Sequence, residues 1–322
     1  MTNDVTQPSD AAVPPTTTPA ATAITDTGGK ASPRRDALRS LLHQRSARIG
    51  LAILGFLAFL AIFAPLLTPY QPDKVFIGEP GAKSRGAPCI HILGCPEDQP
   101  EHWFGLDGNV RDVYTRVLYG GRISLVMGFV TIGVALAIGS TLGAIAGFVG
   151  GRTDTLLMRL MDVLLVFPAL ILAISIVTVM GKGLFNPPLA IGLVSIPIFA
   201  RIMRASVLTT REQDFVTASR ALGETNRGIL VRRVLPNSLT PIIVAGTLGI
   251  GTAVLDVAAL SFLGMGDVSA PEWGYMLGLE RNNVFAAPHL LLFPAIALTL
   301  AVVAFNLFGD GLRDALDPRL ER

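Results

Sequence analysis

Six blocks of nearly unbroken apolar residues, at 51–68, 125–149, 155–180, 189–208, 242–264 and 290–308, constrain this chain more than any other feature. Each is close to the ~20 residues that a helix needs to cross a ~30 Å hydrocarbon core. Backbone amides in hydrocarbon find no water, so a spanning segment must satisfy them internally, and an α-helix does so. The blocks are therefore read as six membrane-spanning helices of an all-α protein. Composition agrees, because 51% hydrophobic and 16% charged residues leave more apolar surface than a soluble domain can bury. Pro65, Pro168, Pro197 and Pro294 fall within the blocks. A membrane helix tolerates proline where neighbouring helices satisfy the freed carbonyls, so the six are expected to pack as a bundle.

Lysine and arginine resist translocation, and their distribution sets the orientation. With both termini on the inner side, 18 of the 26 basic residues lie at or near the cytoplasmic ends of the spans, Arg152, Arg159, Arg201 and Arg204 among them. Six of the other eight sit in one long loop between the first two spans, where the rule is weak. Residues 1–45 are a Thr-, Pro- and Ala-rich leader with a basic flank, expected to be cytoplasmic and, over the first thirty or so residues, disordered for want of large apolar side chains. It is not read as a signal peptide, because its basic cluster follows it and the first apolar block is long enough to span. The first span and the long outer loop occupy 46–124, and 125–322 forms the transmembrane core.

Gly139, Gly143 and Gly147 recur every four residues in the second span, a bare ridge that lets another helix approach closely. Gly246 and the run 249–251 in the fifth span have the same reading, or mark a bending point.

The cytoplasmic stretch 209–241, TTREQDFVTASRALGETNRGILVRRVLPNSLTP, is too long for a simple turn. Thr209 followed by Glu212 is a capping-box pattern and predicts a helix from there to Leu222, ended by Gly223 in the left-handed conformation. Thr225 or Asn226 then caps a second helix that stops before Pro236. Phe215, Ala218, Ala221 and Leu222 gather near one face, apart from Arg211, Asp214 and Arg220. Such a helix suits docking into a groove on another protein, and equally lying on lipid headgroups.

The spacing of this stretch resembles the EAA loop of binding-protein-dependent ABC importers: Glu-Ala-Ala, three residues, Gly, nine residues, then Ile-x-Leu-Pro. Thr217, Ala218 and Ser219 stand in the first three positions, Gly223 follows in register, and Leu235 with Pro236 closes the motif; Thr217, Ser219 and Arg233 depart from it. Other segments are similar to the C-type permease subunit of the dipeptide, oligopeptide and nickel family. These are FGLDGNVRDVYTRVLYGGRISL at 104–125, SFLGMG at 261–266 with Pro271, Trp273 and Gly274, and FNLFGDGLRDALDPR at 305–319.

The resemblance implies a type I ABC importer-like permease bundle in the inner membrane of a prokaryote, working by alternating access. It implies a paralogous permease as partner, two ATP-binding subunits docking on 209–241 and holding ATP and magnesium, and an extracytoplasmic solute-binding protein that delivers peptides. Nickel chelates and glutathione are cargo of similar subunits. By the same resemblance Asp214, Thr217, Ala218, Ser219, Leu222, Gly223, Leu235 and Pro236 are the residues coupled to the ATPase.

The chain has no GxxxxGK[ST] loop, so no nucleotide cofactor is expected on it, and no nucleophile elbow or Ser–His–acid pattern suggests catalysis. Its net charge of +2, with no basic run interleaved with aromatics, gives no nucleic-acid footprint. An ion-coupled transporter would show inverted repeats and intramembrane ion sites, and no convincing repeat is present. Arg159 and Asp162, three apart in the third span, read as an ion pair on one helix. Asp256 either lines the path, attracting a cationic amine, or pairs with a partner subunit. Cys89 and Cys95 lie near His91 and His102 in the outer loop, and a disulfide, free thiols and a tetrahedral metal site all stand as readings.

Overall fold

The computed structural model describes residue 41 and residues 43–316. The disorder expected of the leader and the basic Arg319 and Arg322 lie outside the described residues. Within them the fold is helical: α1 (Arg45–Ile62), α2 (Val113–Val149), α3 (Gly151–Val166), α4 (Ala169–Met180), α5 (Asn186–Arg211), α6 (Asp214–Ala221), α7 (Leu235–Phe262), α8 (Trp273–Glu280) and α9 (His289–Leu316). Among the described residues, α1, α2, α5, α7 and α9 are long and apolar enough to cross a membrane, and α3 with α4 make a sixth span if taken together.

That pair corrects the straight helix expected at 155–180. The two halves meet at a 92° bend. Pro168 causes it: Phe167, the residue before the proline, is pushed out of the helical region to φ −82°, ψ 139°. Pro197 and Pro294, in contrast, sit inside continuous helices.

The second span also begins twelve residues earlier than its apolar block. Asp112 caps it, accepting from the Thr115 amide at 2.8 Å. The arginines that look like loop charges in the sequence are consumed by structure. Arg116 is 1% exposed and donates to the Pro72 carbonyl at 3.0 Å. Arg122 donates to the carbonyl of Ile62, the last residue of α1, at 2.7 Å.

Packing follows the bare ridges. The most extensive helix–helix contact is between α2 and α5. Along it a Cβ at Gly139 would stand 2.7 Å from the Ile196 carbonyl oxygen, one at Gly147 2.9 Å from that of Arg204, and one at Gly143 would overlap that of Ala200. Gly246, Gly249 and Gly251 likewise face Leu136, Ile132 and Phe305, so they too serve close packing. On the far side α1 lies along α9, with Gly50 against the backbone at Phe308.

At the outer end α8 plugs the bundle. Trp273 is 2% exposed and its indole donates to the Val117 carbonyl at 2.9 Å. Glu272 caps α8 by accepting from the amides of Gly274 and Tyr275, at 2.9 and 2.8 Å. Burial raises its carboxyl above the ordinary 4.5, against the lowering effect of those amides and of the Ser261 and Ser124 hydroxyls. A raised folded-state value means that the protonated form is favoured by folding. Stability from this group is therefore present below about pH 4.5 and lost as pH rises through the folded value. The thermal midpoint of the detergent-solubilised protein is expected to fall over that window. Glu272→Gln should flatten the slope, measured by tryptophan fluorescence melts across pH.

The long outer loop folds onto this end. Glu280 accepts from Arg85 at 2.9 Å and from the Gly108 amide at 2.8 Å. Cys89 and Cys95 are joined as a disulfide with Cα atoms 5.2 Å apart. The imidazoles point elsewhere, His102 to Asp112 at 2.9 Å and His91 to the Gln99 carbonyl at 2.9 Å, so the four side chains do not converge.

Candidate functional site

The stretch 209–241 builds a compact elbow on the inner end of α5 and α7. The predicted capping box does not form: α5 runs on to Arg211, and the Thr209 hydroxyl donates to the Ala205 carbonyl at 3.2 Å inside that helix. The short helix α6 starts at Asp214 instead, where the acidic side chain sits in the first turn beside the positive end of the helix dipole. Its end is as expected. Gly223 takes φ +81°, the Glu224 amide donates to the Ser219 carbonyl at 3.1 Å and the Gly223 amide to Arg220 at 3.0 Å, a Schellman ending.

Thr225 then caps a single turn, Asn226–Gly228, by accepting from the Gly228 amide at 3.2 Å. The second helix does not stop before Pro236, as the sequence predicts. It passes through a π-helical segment, Ile229–Val234, directly into α7, so that Pro236, the second residue of α7, lies inside a continuous helical stretch. A π segment inside a helix is frequently found at a functional site.

The two faces of α6 have different fates. Val216, fully buried, packs with Ile229, Val234, Met203, Val207 and Ile242, so the underside of the helix is bolted to both α5 and α7. Ser219 is also buried and bonds back to the Phe215 carbonyl. The other face is open: Asp214, Phe215, Thr217, Ala218, Ala221, Leu222 and Gly223 are all exposed, Leu222 at 87%. Leu235 is half-buried and Pro236 exposed at the root of α7.

The elbow is anchored by polar contacts that sequence reasoning missed. Thr210 and Ser238 hydrogen-bond between α5 and α7 at 3.0 Å, and Ser206 donates to the Ser238 carbonyl at 3.0 Å. Arg211 reaches the carbonyl of Gly147 at the end of α2 at 2.6 Å, and Arg233 pairs with Glu224 at 3.2 Å. Arg204 grips Asp154 of α3 with two nitrogens, at 2.5 and 2.6 Å. Arg159 and Asp162 are not paired, contrary to expectation: Asp162 bonds Arg201 on α5. The i, i+3 spacing permits such a pair, but Asp162 is taken by an arginine of the neighbouring helix instead. Asp256 is half-buried on α7 and has no hydrogen-bond or ion-pair partner among the described residues.

An exposed small-residue helix clamped to two spans is a part that can carry a push from outside the membrane to the bundle. Residues 139–322 match the family described as binding-protein-dependent transport system inner membrane component. The chain belongs to that family. It is therefore a multi-pass inner-membrane permease component, and residues 32–81 also match the N-terminal transmembrane domain of oligopeptide transport permease C. The dipeptide transport system permease protein DppC of Alkalihalophilus pseudofirmus is 44% identical over 90% of this chain and 91% of that one. The di/tripeptide permease DppC of Pseudomonas aeruginosa is 40% identical over 90% and 93%. The glutathione transport system permease GsiD of Pectobacterium atrosepticum is 39% identical over 90% and 92%. The fold is similar to a chain of the MetNI methionine ABC transporter in an inward-facing conformation, with TM-score 0.53, 19% identity, and 63% of this chain and 97% of that one covered. This agrees with the type I importer-like bundle expected from the sequence.

Proposed function

We propose that this permease is one of two paralogous pore subunits of an ATP-driven importer that passes di- and oligopeptides across the cytoplasmic membrane. Two ATP-binding subunits dock on the open face of α6, hold the ATP and magnesium, and do all the hydrolysis; an extracytoplasmic binding protein delivers the peptide. The observation that carries the reading is the open face of α6, backed by Val216 and closed by Gly223, on an elbow continuous with α7. Closure of the ATPase pair displaces α6, and the Val216 cluster passes the movement to α5 and α7 together.

Peptide cargo is supported by relatives named for dipeptides and di/tripeptides. A second reading, import of glutathione, is favoured by the relative named for it. The two are chemically close, since glutathione is itself a tripeptide. Affinity purification of the tagged protein in mild detergent, with mass spectrometry of what accompanies it, tests the assembly. A second permease and ATP-binding subunits are expected. A protein that purifies alone and moves solute without ATP overturns the proposal in favour of an ion-coupled transporter.

A further inference from the structure

We propose that the polar stripe of α3, with Arg201 of α5, lines the water-filled path in the inner half of the membrane, and that Arg159 and Arg201 there receive the carboxylate end of the passing peptide. This rests on the import reading above. Arg201 stands seven residues before Leu208, the inner edge of its apolar block, and Asp162 seven residues after Thr155, the inner edge of its own. At 1.5 Å per residue both lie about 10 Å in, within the inner half of a ~30 Å core.

Charges at that depth are costly in lipid and so mark a path or a protein contact. Yet the Asp162 and Arg201 side chains are 57% and 52% exposed in this chain. Helical periodicity sorts the surface of α3. Arg152, Thr155, Arg159 and Asp162, three to four residues apart, form one exposed stripe; Leu156, Leu160 and Val163, exposed at 71%, 54% and 57%, form its neighbour. The apolar stripe suits hydrocarbon. The polar one faces water.

The chemistry of the stripe selects an anion. Arg201 spends one nitrogen on Asp162, and Arg159 has no ion-pair or hydrogen-bond partner among the described residues. Two guanidiniums against one carboxylate leave an excess positive charge and free donors in the geometry that a carboxylate accepts. Inward of Arg201 on the same face of α5 come Ala205 and Thr209, both exposed, so small side chains continue from the charged station toward the cytoplasm.

The test uses the whole importer in proteoliposomes with its binding protein, ATP and alanyl-alanine. Because Cys89 and Cys95, the two cysteines of this chain, are joined, an introduced cysteine is its one free thiol, and labelling is read on this chain after the subunits are separated by gel. Arg159→Cys, Asp162→Cys, Arg201→Cys and the uncharged position Thr155→Cys should react with a charged, membrane-impermeant methanethiosulfonate about tenfold faster than Leu160→Cys, since only a hydrated thiol ionises. Arg159→Gln and Arg201→Gln should lower alanyl-alanine uptake about tenfold, with binding-protein-stimulated ATPase within about twofold of the wild type and partial rescue by Arg201→Lys.

Labelling no faster at Thr155→Cys than at Leu160→Cys would overturn the path assignment and place the stripe against the second permease. Uptake and ATPase lost together in both glutamine variants, without rescue by lysine, would overturn the carboxylate role. Failure of the unsubstituted complex to take up the peptide would strike the import reading instead.

Discussion

Replacing Gly223 with valine should cut peptide uptake about tenfold or more while the assembled importer still hydrolyses ATP. The residue sits at φ +81°, and a Cβ built there meets no heavy atom within 4 Å. The penalty is therefore wholly in the backbone: ~1–2 kcal/mol for any L side chain held left-handed, and more for a β-branched one. The chain escapes this strain by letting the Schellman ending go, which releases the Glu224 amide from Ser219 and shifts Glu224 away from Arg233. The end of α6 then no longer holds a single direction, and Leu222, the most exposed large apolar residue on the open side of α6, moves with it. Because Val216 still anchors the helix, assembly should survive and coupling should not. Gly223→Asn, which tolerates the left-handed region, should keep most of the uptake. Uptake and ATPase measured side by side in proteoliposomes decide the matter; normal uptake in the valine variant would sink the coupling role of α6.

What could be read from the sequence divides along physical lines. The spans were legible because hydrophobic length is a direct demand of the bilayer, and the Gly139, Gly143, Gly147 ridge because a missing side chain has few uses in a membrane helix. Gly223 was legible because a helix end so often requires a left-handed residue. The extension of α2 back to Val113 was not, since its first turns carry Arg116 and Arg122, and only tertiary structure reveals that Pro72 and Ile62 supply their acceptors. One local signal was available: Asp112 three residues before Thr115 is an N-cap pattern. The capping box at Thr209 misled for the opposite reason. Ser206 and Thr210, tied to Ser238 on α7, hold α5 helical through the position where the local motif would start a new helix. At Pro236 a proline normally closes a helix, but the π segment before it absorbs the missing donor. The pairing of Asp162 with Arg201 lay beyond any periodicity argument, because it joins residues on two helices whose rotation sequence alone does not set.

The second large effect is expected at Gly143, where leucine should abolish recovery of folded protein from the membrane. The α2–α5 contact is the most extensive in the bundle, and without a hydrophobic driving force between helices in lipid it depends on close approach of the two backbones. A Cβ at Gly143 would overlap the Ala200 carbonyl, which belongs to the α5 backbone and has no rotamer to escape into. Accommodation must come from moving the helices apart. That loosens the neighbouring approaches at Gly139 and Gly147, each already under 3.0 Å from α5 backbone at the Cβ position, so the cost exceeds the usual ~1–3 kcal/mol of overpacking at one site. It also shifts α5 against α7 and strains the Thr210–Ser238 bond that seats the elbow, so any surviving protein should take up less peptide per ATP hydrolysed. Gly133 supplies the control. It lies on the same helix but exposed, with nothing within 4 Å of its Cβ, and leucine there should be tolerated. Size-exclusion profiles of the two variants in detergent separate the cases: a monodisperse peak for Gly143→Leu equal to that for Gly133→Leu would mean that α2 and α5 do not depend on backbone contact. A lost peak for Gly143→Leu alone is the outcome that this packing requires.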